Sequence, residues 1–303
     1  MIRATPVLFF LRGQKGTTFQ FEQVFLFPLA ILTKVLLRQK VIVDDFNLLH
    51  PDYHFMPRFI LKTLDWLAIL SSDVIATASP LSMKYISTNF PNKRVHYVPN
   101  GITPAEDTDS NHPADTEQVH PIAVFVGGLV FHQNLAAVTN IMRLADILSK
   151  LQTPLSIEIV GGPLSRVEYL RRLNVVRNGS VRLRGPINRE ELESTYRRTT
   201  IGLLPFFSDT PLVGGQRTKA LEYLNHGLLV VSGPEGIGEL SGLKPSVHYL
   251  LSDSLHSFAY TLDIAARHPE RFSGVRSEGK KAVRHVYAWD NVLQPLIHEI
   301  AGP

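Results

Sequence analysis

The feature that most constrains the fold is an alternation of short, wholly apolar segments with longer segments of helical periodicity. In the first third of the chain, helical patterns cover about 20–38 and 57–71, and a shorter one follows Pro80. Strands that are apolar throughout and separated by helices are typical of a parallel α/β sheet with two buried faces. The predicted strands of this part are 6–11, 40–46, 73–79 and 94–98.

The same alternation starts again after residue 120, and here four predicted strands run into glycine. Five strands are predicted in this part, at 122–126, 157–160, 181–184, 201–205 and 228–232, and all but 201–205 run into glycine. Helices are predicted near 134–150, 165–173, 190–198, 253–267 and 289–300. The glycines are Gly127, Gly161, Gly185 and Gly233. Glycine lets backbone N–H groups approach a ligand closely, and parallel strands end at one edge of a sheet. Four such loops therefore predict a nucleotide site at that edge.

Residues 213–227, VGGQRTKALEYLNHG, combine two glycines and two cations with a helical pattern that carries one carboxylate. The start of the predicted helix has free N–H groups and a positive dipole end, which attract an anion. Arg217 and Lys219 add full charges there, and Glu222 lies on the same face as Lys219. A phosphate at the helix start and a hydroxyl group beside Glu222 indicate a nucleoside diphosphate. The alternative is an ordinary amphipathic helix that ends at Gly227.

Composition places one domain boundary near the end of the first third. Residues 99–101 form a turn signal, and 103–120 carries five acidic residues and neither Lys nor Arg. Such a polar segment without periodicity is typical of a linker. We therefore predict a domain over 1–102, an acidic linker over 103–120, a second domain over 121–285 and a C-terminal helix over 286–303.

The charge balance and residue usage exclude several classes of function. A net charge of +4, spread over both domains, favours phosphate-bearing ligands or an anionic membrane surface over nucleic acid. The chain has no Cys, which excludes disulfides and thiolate metal sites. No apolar run reaches the roughly 18–20 residues of a membrane span, and no signal-peptide pattern is present. We expect a cytoplasmic protein, with peripheral contact to the inner membrane face as the alternative.

Five short motifs follow one another in the order found in one enzyme family. They are Val-Pro-Asn-Gly-Ile at 98–102, Phe-Val-Gly-Gly-Leu at 125–129, Ile-Val-Gly-Gly-Pro at 159–163, Gly-Gln-Arg-Thr-Lys-Ala-Leu-Glu at 215–222 and Val-Val-Ser at 230–232 with the Gly/Glu loop behind it; a late Ala-Trp-Asp at 288–290 accompanies them. From about residue 95 to 300 the chain therefore resembles the retaining glycosyltransferases of family four, which have the GT-B fold.

The resemblance implies an α/β architecture of two Rossmann-like domains that face a cleft, the first of them truncated. Helix 286–303 would cross back to that first domain. The implied reaction is transfer of a sugar from a nucleoside-diphosphate sugar to a glycan, a lipid-linked acceptor or a small molecule, with retention of configuration. No metal or other cofactor is expected, since 121–303 holds no Asp-x-Asp cluster. Fixed cations and helix-end N–H groups would stabilise the leaving diphosphate instead.

The resemblance also assigns residues to the donor. Glu222 would bind the ribose, Arg217 and Lys219 the diphosphate, and the Gly185 region the base. Glu235 or the amides around Gly236 are our prediction for the donor sugar. The predicted donor-site residues are Gly127, Gly128, His132, Gly162, Gly185, Gly214, Gly215, Arg217, Lys219, Glu222, Glu235 and Gly236.

The acceptor side is predicted from the strand ends of the first domain, at Arg12, Asp44, Asp45 and Ser79. Asp45 joins Arg217 and Lys219 as the predicted catalytic residues. The alternatives are that the two aspartates only begin a turn and that Ser79 only caps the helix after Pro80.

Three departures from the family pattern leave other functions open. Gly128 and Gln133 stand where relatives carry Arg and Lys, Gly214 replaces a glutamate, and the first domain is short. These departures favour the alternative that the chain is a catalytically degenerate binding or scaffolding subunit. A nucleotide-sugar epimerase of the same fold is the third hypothesis. The sugar, the base, the acceptor and the oligomeric state do not follow from the sequence.

Overall fold

A computed structural model describes residues 18–21, 27–44, 58–105, 121–129, 132–173, 179–207 and 218–301. These residues form two compact units. The first contains the described residues up to Asn100 together with those from Asp290 onward, and the second contains those from Gly101 to Trp289.

Unit 1 is built on a parallel four-stranded sheet. Its strands are β1 (Thr18–Phe21), β2 (Lys40–Asp44), β3 (Val74–Thr77) and β4 (Arg94–Tyr97), in the spatial order β1-β2-β3-β4. Its first helices are α1 (Phe27–Leu32), which a π-helical turn continues over Thr33–Leu37, α2 (Arg58–Ser71) and α3 (Pro80–Asn89). The parallel α/β architecture predicted for this part is confirmed. The predicted strand 6–11 lies outside the described residues.

The prediction of one helix over about 20–38 is wrong at its start. Residues 18–21 are strand β1, and Thr18 pairs with Lys40 of β2. The sequence Thr-Phe-Gln-Phe suits a strand because β-branched and aromatic residues favour extended backbone. At the other end the helix stops where Arg38 takes a left-handed conformation, with φ of 52°.

The C-terminal segment completes the core of unit 1. Helix α11 (Gln294–Ala301) follows the short helix α10 (Trp289–Val292), so the predicted helix at 289–300 is in two pieces. Leu296 is buried against Ile42, Val74 and Ala76 of the sheet. Glu299 adds an ion pair at 3.0 Å to the Arg94 guanidinium.

Unit 2 contains a six-stranded sheet in which all pairs are parallel. Its strands are β5 (Ile122–Val126), β6 (Ser156–Val160), β7 (Val181–Gly185), β8 (Ile201–Leu204), β9 (Leu229–Ser232) and β10 (Leu250–Leu251), in the order β10-β9-β8-β5-β6-β7. Because the pairs are parallel, the carboxyl ends of β5, β6, β7 and β9, each followed or closed by glycine, lie at one edge, as predicted.

The helices of unit 2 match the predicted positions with one addition. They are α4 (His132–Lys150), α5 (Leu164–Leu170), α6 (Arg189–Arg198), α7 (Thr218–Asn225), α8 (Leu255–Arg267) and α9 (Ser273–Tyr287), with a 3₁₀ turn at Pro269–Phe272. Helix α9 was not predicted, because Gly274 and Gly279 lower its helix propensity and few of its residues are large and apolar. No described helix is long and apolar enough to cross a membrane.

Two motifs of the sequence meet at the beginning and end of unit 2. A Cβ at Gly101 would lie 2.3 Å from the Trp289 ring, so only glycine fits beneath the indole. Next to this contact the Ile102 N–H donates to the Tyr287 carbonyl at 2.7 Å. Asn225 contacts the residues that follow Ile102: its Oδ1 accepts a hydrogen bond from the Ala105 N–H at 3.1 Å. Most of the predicted linker 103–120 lies outside the described residues.

Candidate functional site

Three glycine loops interlock at the carboxyl edge of the unit 2 sheet. The Gly127 N–H donates to the Val160 carbonyl at 3.0 Å, and the Gly161 N–H donates to the Gly185 carbonyl at 2.9 Å. A Cβ on Gly161, which has φ of +142°, would lie 1.9 Å from the Gly127 oxygen. The Leu129 N–H also donates to the Gly162 carbonyl, at 2.6 Å. Glycine is required here because the backbones approach closely.

Lys219 extends from helix α7 to the first of these loops. Its Nζ donates to Asn134 Oδ1 at 2.8 Å, and Asn134 Nδ2 donates to the Gly128 carbonyl at 2.8 Å. The same Nζ is 3.3 Å from the position that a Cβ on Gly127 would occupy. The ammonium therefore lies directly beside the Gly127-Gly128 backbone, where a phosphate was predicted.

Two aromatic rings fix the Lys219 ammonium further. Nζ is 4.9 Å from the ring centroid of Phe125 and 5.2 Å from that of Phe206. Both phenylalanines are fully buried, and the negative face of an aromatic ring attracts a cation. The two rings and the Asn134 amide thus hold the ammonium beside the first glycine loop.

Glu222, one turn further along α7, has a different partner on each carboxylate oxygen. Oε2 accepts from the Tyr196 hydroxyl at 2.8 Å, and Oε1 accepts from Arg189 Nη1 at 3.1 Å. Tyr196 is fully buried, and burial raises the pKa of its phenol well above the ordinary value, so it remains a donor. The Glu222 side chain retains 33% of its exposure and is thus accessible to a ligand.

A histidine and a second glutamate complete this polar group. The His226 ring lies against Tyr196 with 4.6 Å between ring centroids, and His226 Nε2 is 3.2 Å from Glu193 Oε2. Burial lowers the pKa of His226 below its ordinary value in spite of the nearby Glu193 and Glu222 carboxylates. Glu193 also pairs with Arg189 at 2.5 Å.

The loop after β9 is tied to the residues around Lys219. The Glu235 N–H donates to the Phe206 carbonyl at 3.1 Å, and the Gly236 N–H donates to the Gly233 carbonyl at 3.0 Å. A Cβ on Gly233 would be 2.3 Å from the Phe206 oxygen. The predicted donor-sugar loop therefore connects to the same Phe206 that faces the ammonium.

This geometry is accompanied by a sequence match to a known family. Residues 120–262 match the family described as glycosyl transferases group 1. The glycine loops, Lys219 and Glu222 all lie within the matched residues. A search of the curated proteins by sequence found no match.

Solved structures resemble the chain over almost its whole length. TarM superimposes with a TM-score of 0.73 at 11% identity, covering 97% of this chain and 57% of that one. HepE from Anabaena, in complex with UDP and glucose, gives 0.72 at 12%, covering 98% and 81%. A glycosyltransferase from Rickettsia africae gives 0.72 at 11%, covering 98% and 79%. The chain thus has the α/β GT-B fold of these enzymes, with Rossmann-like domains, as predicted; it spans little more than half of TarM.

Several predicted site residues lie outside the matched residues 120–262 or outside the described residues. In unit 1, Asp44 ends strand β2, and the buried Ser79 hydroxyl accepts from the Ser82 N–H at 3.0 Å as the cap of α3. Their acceptor-side roles remain predictions. Arg12, Asp45, Gly214, Gly215 and Arg217, and the side chain of His132, lie outside the described residues.

Sequence reasoning missed the residues that position Lys219 and Glu222, two of the predicted donor contacts. Phe125 lies in the predicted strand 122–126 and Tyr196 in the predicted helix 190–198, and no role at the site was predicted for these two residues or for Phe206. Asn134 offered one signal, an amide in the first turn of a helix that follows a glycine loop. Arg189 and Tyr196 are 33 and 26 residues from Glu222 in the chain, so no local pattern relates them to it.

Proposed function

We propose that the chain is a glycosyltransferase that moves a sugar from a nucleoside-diphosphate sugar to an acceptor hydroxyl, with retention and without a metal. The observation that carries this proposal is the Lys219 ammonium beside the Gly127-Gly128 backbone. The group 1 match over 120–262 supports it. So do structural neighbours that were solved with UDP and glucose or, for TarM, with UDP and a glycan.

The proposed chemistry depends on stabilising the leaving diphosphate. As the bond from the anomeric carbon to the diphosphate oxygen breaks, negative charge builds up on the leaving group and positive charge on the sugar ring. Lys219, the Gly128 amide and the start of α7 supply donors that need no reorganisation at that moment. Arg217 is expected to contribute a second cation. No step of this scheme requires a metal.

The other contacts are proposed from the family resemblance and from the strand ends. Glu222, with a carboxylate accessible on the face that carries Lys219, is proposed to accept hydrogen bonds from the ribose hydroxyls. The Gly185 loop would contact the base, and Glu235 or the amides around Gly236 would contact the sugar. Arg12, Asp44, Asp45 and Ser79 are proposed for the acceptor side, with a glycan as the favoured acceptor. We place the reaction in the cytoplasm or at the inner membrane face.

The function is tested by incubating the protein with UDP- and GDP-sugars and a panel of glycan acceptors, and measuring nucleotide release. We expect Lys219→Met to lower acceptor-dependent release by about 10²- to 10³-fold, because one fixed transition-state donor is lost. Lys281→Met, which removes an exposed ammonium paired with Glu278, serves as the charge control and should retain full activity. Equal activity of the two variants would contradict the proposal.

Calorimetry separates the alternatives. Glu222→Ala should weaken nucleotide binding, since the ribose loses its carboxylate. If the wild-type protein binds a nucleotide sugar but shows no turnover with any acceptor tested, the result favours the binding or scaffolding hypothesis. The absence of a cationic side chain at Gly128 favours the same hypothesis. A changed sugar without any acceptor would identify an epimerase.

A further inference from the structure

The two partners of Glu222 differ in exposure and therefore in how easily they exchange. Tyr196 is 0% exposed and reaches Oε2 from the interior of unit 2. The Arg189 side chain is 64% exposed and reaches Oε1 from the solvent side. A ligand can approach this carboxylate only from solvent. It therefore meets the guanidinium of Arg189 and not the phenol of Tyr196.

Arg189 has a second carboxylate within reach. It is the first residue of α6, and its Nη2 pairs with Glu193, one turn later, at 2.5 Å. When the contact to Glu222 breaks, the guanidinium keeps this ion pair and remains solvated, so displacement leaves no buried charge unpaired. Glu222 in turn keeps Tyr196 and stays oriented.

We propose that Arg189 is a latch on the donor site: its guanidinium and the ribose hydroxyls of the nucleotide compete for Oε1 of Glu222. Tyr196 is the positioning residue that holds Oε2 whichever of the two is bound. The inference rests on the proposed function, because it takes Glu222 as the ribose contact. It adds a regulatory contact that lowers donor affinity and makes that affinity depend on ionic strength.

The latch is tested by calorimetry on the full chain with UDP and GDP and with their 2′,3′-dideoxy forms. We expect Arg189→Gln to bind the ribose-containing nucleotide about twofold to fivefold more tightly, the range expected when an exposed ion pair no longer competes. The dideoxy form, which cannot displace the latch, should bind wild type and variant equally. Arg197→Gln, an exposed arginine of the same helix, is the matched control and should show no gain.

Two further readouts separate the latch from a general charge effect. At about 1 M salt, where the Debye length is about 3 Å, the advantage of Arg189→Gln over Arg197→Gln should shrink towards none. Tyr196→Phe should lower the preference for the ribose over the dideoxy form by about tenfold, since Glu222 loses its fixed partner. Its binding of the dideoxy form, which should stay unchanged, shows that the site is folded.

The outcomes distinguish the latch from the function on which it rests. If wild type binds the ribose form more tightly than the dideoxy form, but Arg189→Gln binds the ribose form no more tightly than Arg197→Gln does, the latch alone is overturned. Weaker binding by Arg189→Gln also overturns it, because Arg189 would then contact the nucleotide itself. Failure of wild type to bind either nucleotide overturns the proposed function, and the latch with it.

Discussion

Glu158, in strand β6, is a buried carboxylate that pairs with three arginines of unit 2. Its side chain is 1% exposed, and it pairs with Arg198 at 2.5 Å, Arg182 at 3.4 Å and Arg184 at 3.9 Å. Burial alone would raise the pKa of Glu158, but the Arg198 hydrogen bonds and the charges of the three arginines lower it below the ordinary value. The carboxylate therefore stays ionised in the folded protein.

Replacing Glu158 by Gln should destabilise unit 2 by about 1–3 kcal/mol at neutral pH, less than for a fully buried pair because the arginines are partly exposed. The folded pKa lies below the unfolded value of about 4.3, so the contribution is complete above that pH and disappears as pH falls through the folded pKa. Urea denaturation from pH 7 to 3 should show the two proteins converging at low pH. Glu168→Gln, at an exposed position, is the control; a difference that persists at low pH would contradict the account.

At the candidate site, the sequence indicated the proposed ligand contacts, Lys219 and Glu222, but not the residues that position them. Lys219 and Glu222 followed from the helical period and the glycine loops, because both signals are local. The proximity of the positioning residues to Lys219 and Glu222 depends on how segments that are distant in the chain pack together. These residues are Asn134, Phe206 and Tyr196. The four glycine-ended strands, by contrast, needed only parallel pairing to come together.

At the scale of elements, the contact between Gly101 and Trp289 explains two separate motifs. The Val-Pro-Asn-Gly-Ile turn and the late Ala-Trp-Asp are 188 positions apart at these residues (289 − 101), yet they pack on each other. The bridge between Ile102 and Ala288 runs beside the indole. The Trp289 indole therefore packs the first and last parts of unit 2 together. It leaves no room for a side chain at residue 101.

Gly101→Ala should destabilise unit 2 by about 1–3 kcal/mol, because its Cβ would meet the Trp289 ring at 2.3 Å and force the indole to move. Thermal denaturation measures the change. Gly274→Ala is the matched control, since a Cβ in that helical position has no heavy atom within 4 Å. It should be neutral or stabilising by up to about 1 kcal/mol. Equal effects would show that the indole contact is not constraining.

Most elements followed from the sequence, and the exceptions have physical causes. Strand β1 is four residues long and adjoins a long apolar stretch, so the helical period of its neighbour masked it. Helix α9 is stabilised by tertiary packing: a Cβ on Gly279 would be 2.5 Å from the His248 carbonyl, so glycine permits close contact there. Glycine has a low helix propensity, so the sequence alone argues against a helix at this position. The close packing against His248 explains why the helix carries a glycine here.

For the whole molecule, the division into two units makes the C-terminal helix part of the first. Leu296 is 4% exposed and packs on Ile42, Val74 and Ala76, although at least 220 positions separate it from them in the chain (296 − 76 = 220). The stability of unit 1 thus depends on helix α11. This stability should respond to changes there independently of unit 2.

Leu296→Ala should cost about 2 kcal/mol through the lost apolar contacts and the cavity left behind. Amide hydrogen exchange measured on peptides should then become up to about 30-fold faster in β2 and β3, where exchange follows unfolding of unit 1. Ile297→Ala, next in sequence but 48% exposed, is the control and should change little. An equal acceleration in β8 and β9 would show that the two units unfold together.

The central claim is that a nucleoside diphosphate binds at the carboxyl edge of the unit 2 sheet, and a crystal structure of the protein with UDP or GDP tests it most directly. We expect the diphosphate within hydrogen-bond distance of Lys219 Nζ and the Gly128 amide, with the ribose hydroxyls on Glu222. A nucleotide bound elsewhere, or one that leaves Lys219 without a phosphate contact, would contradict the account.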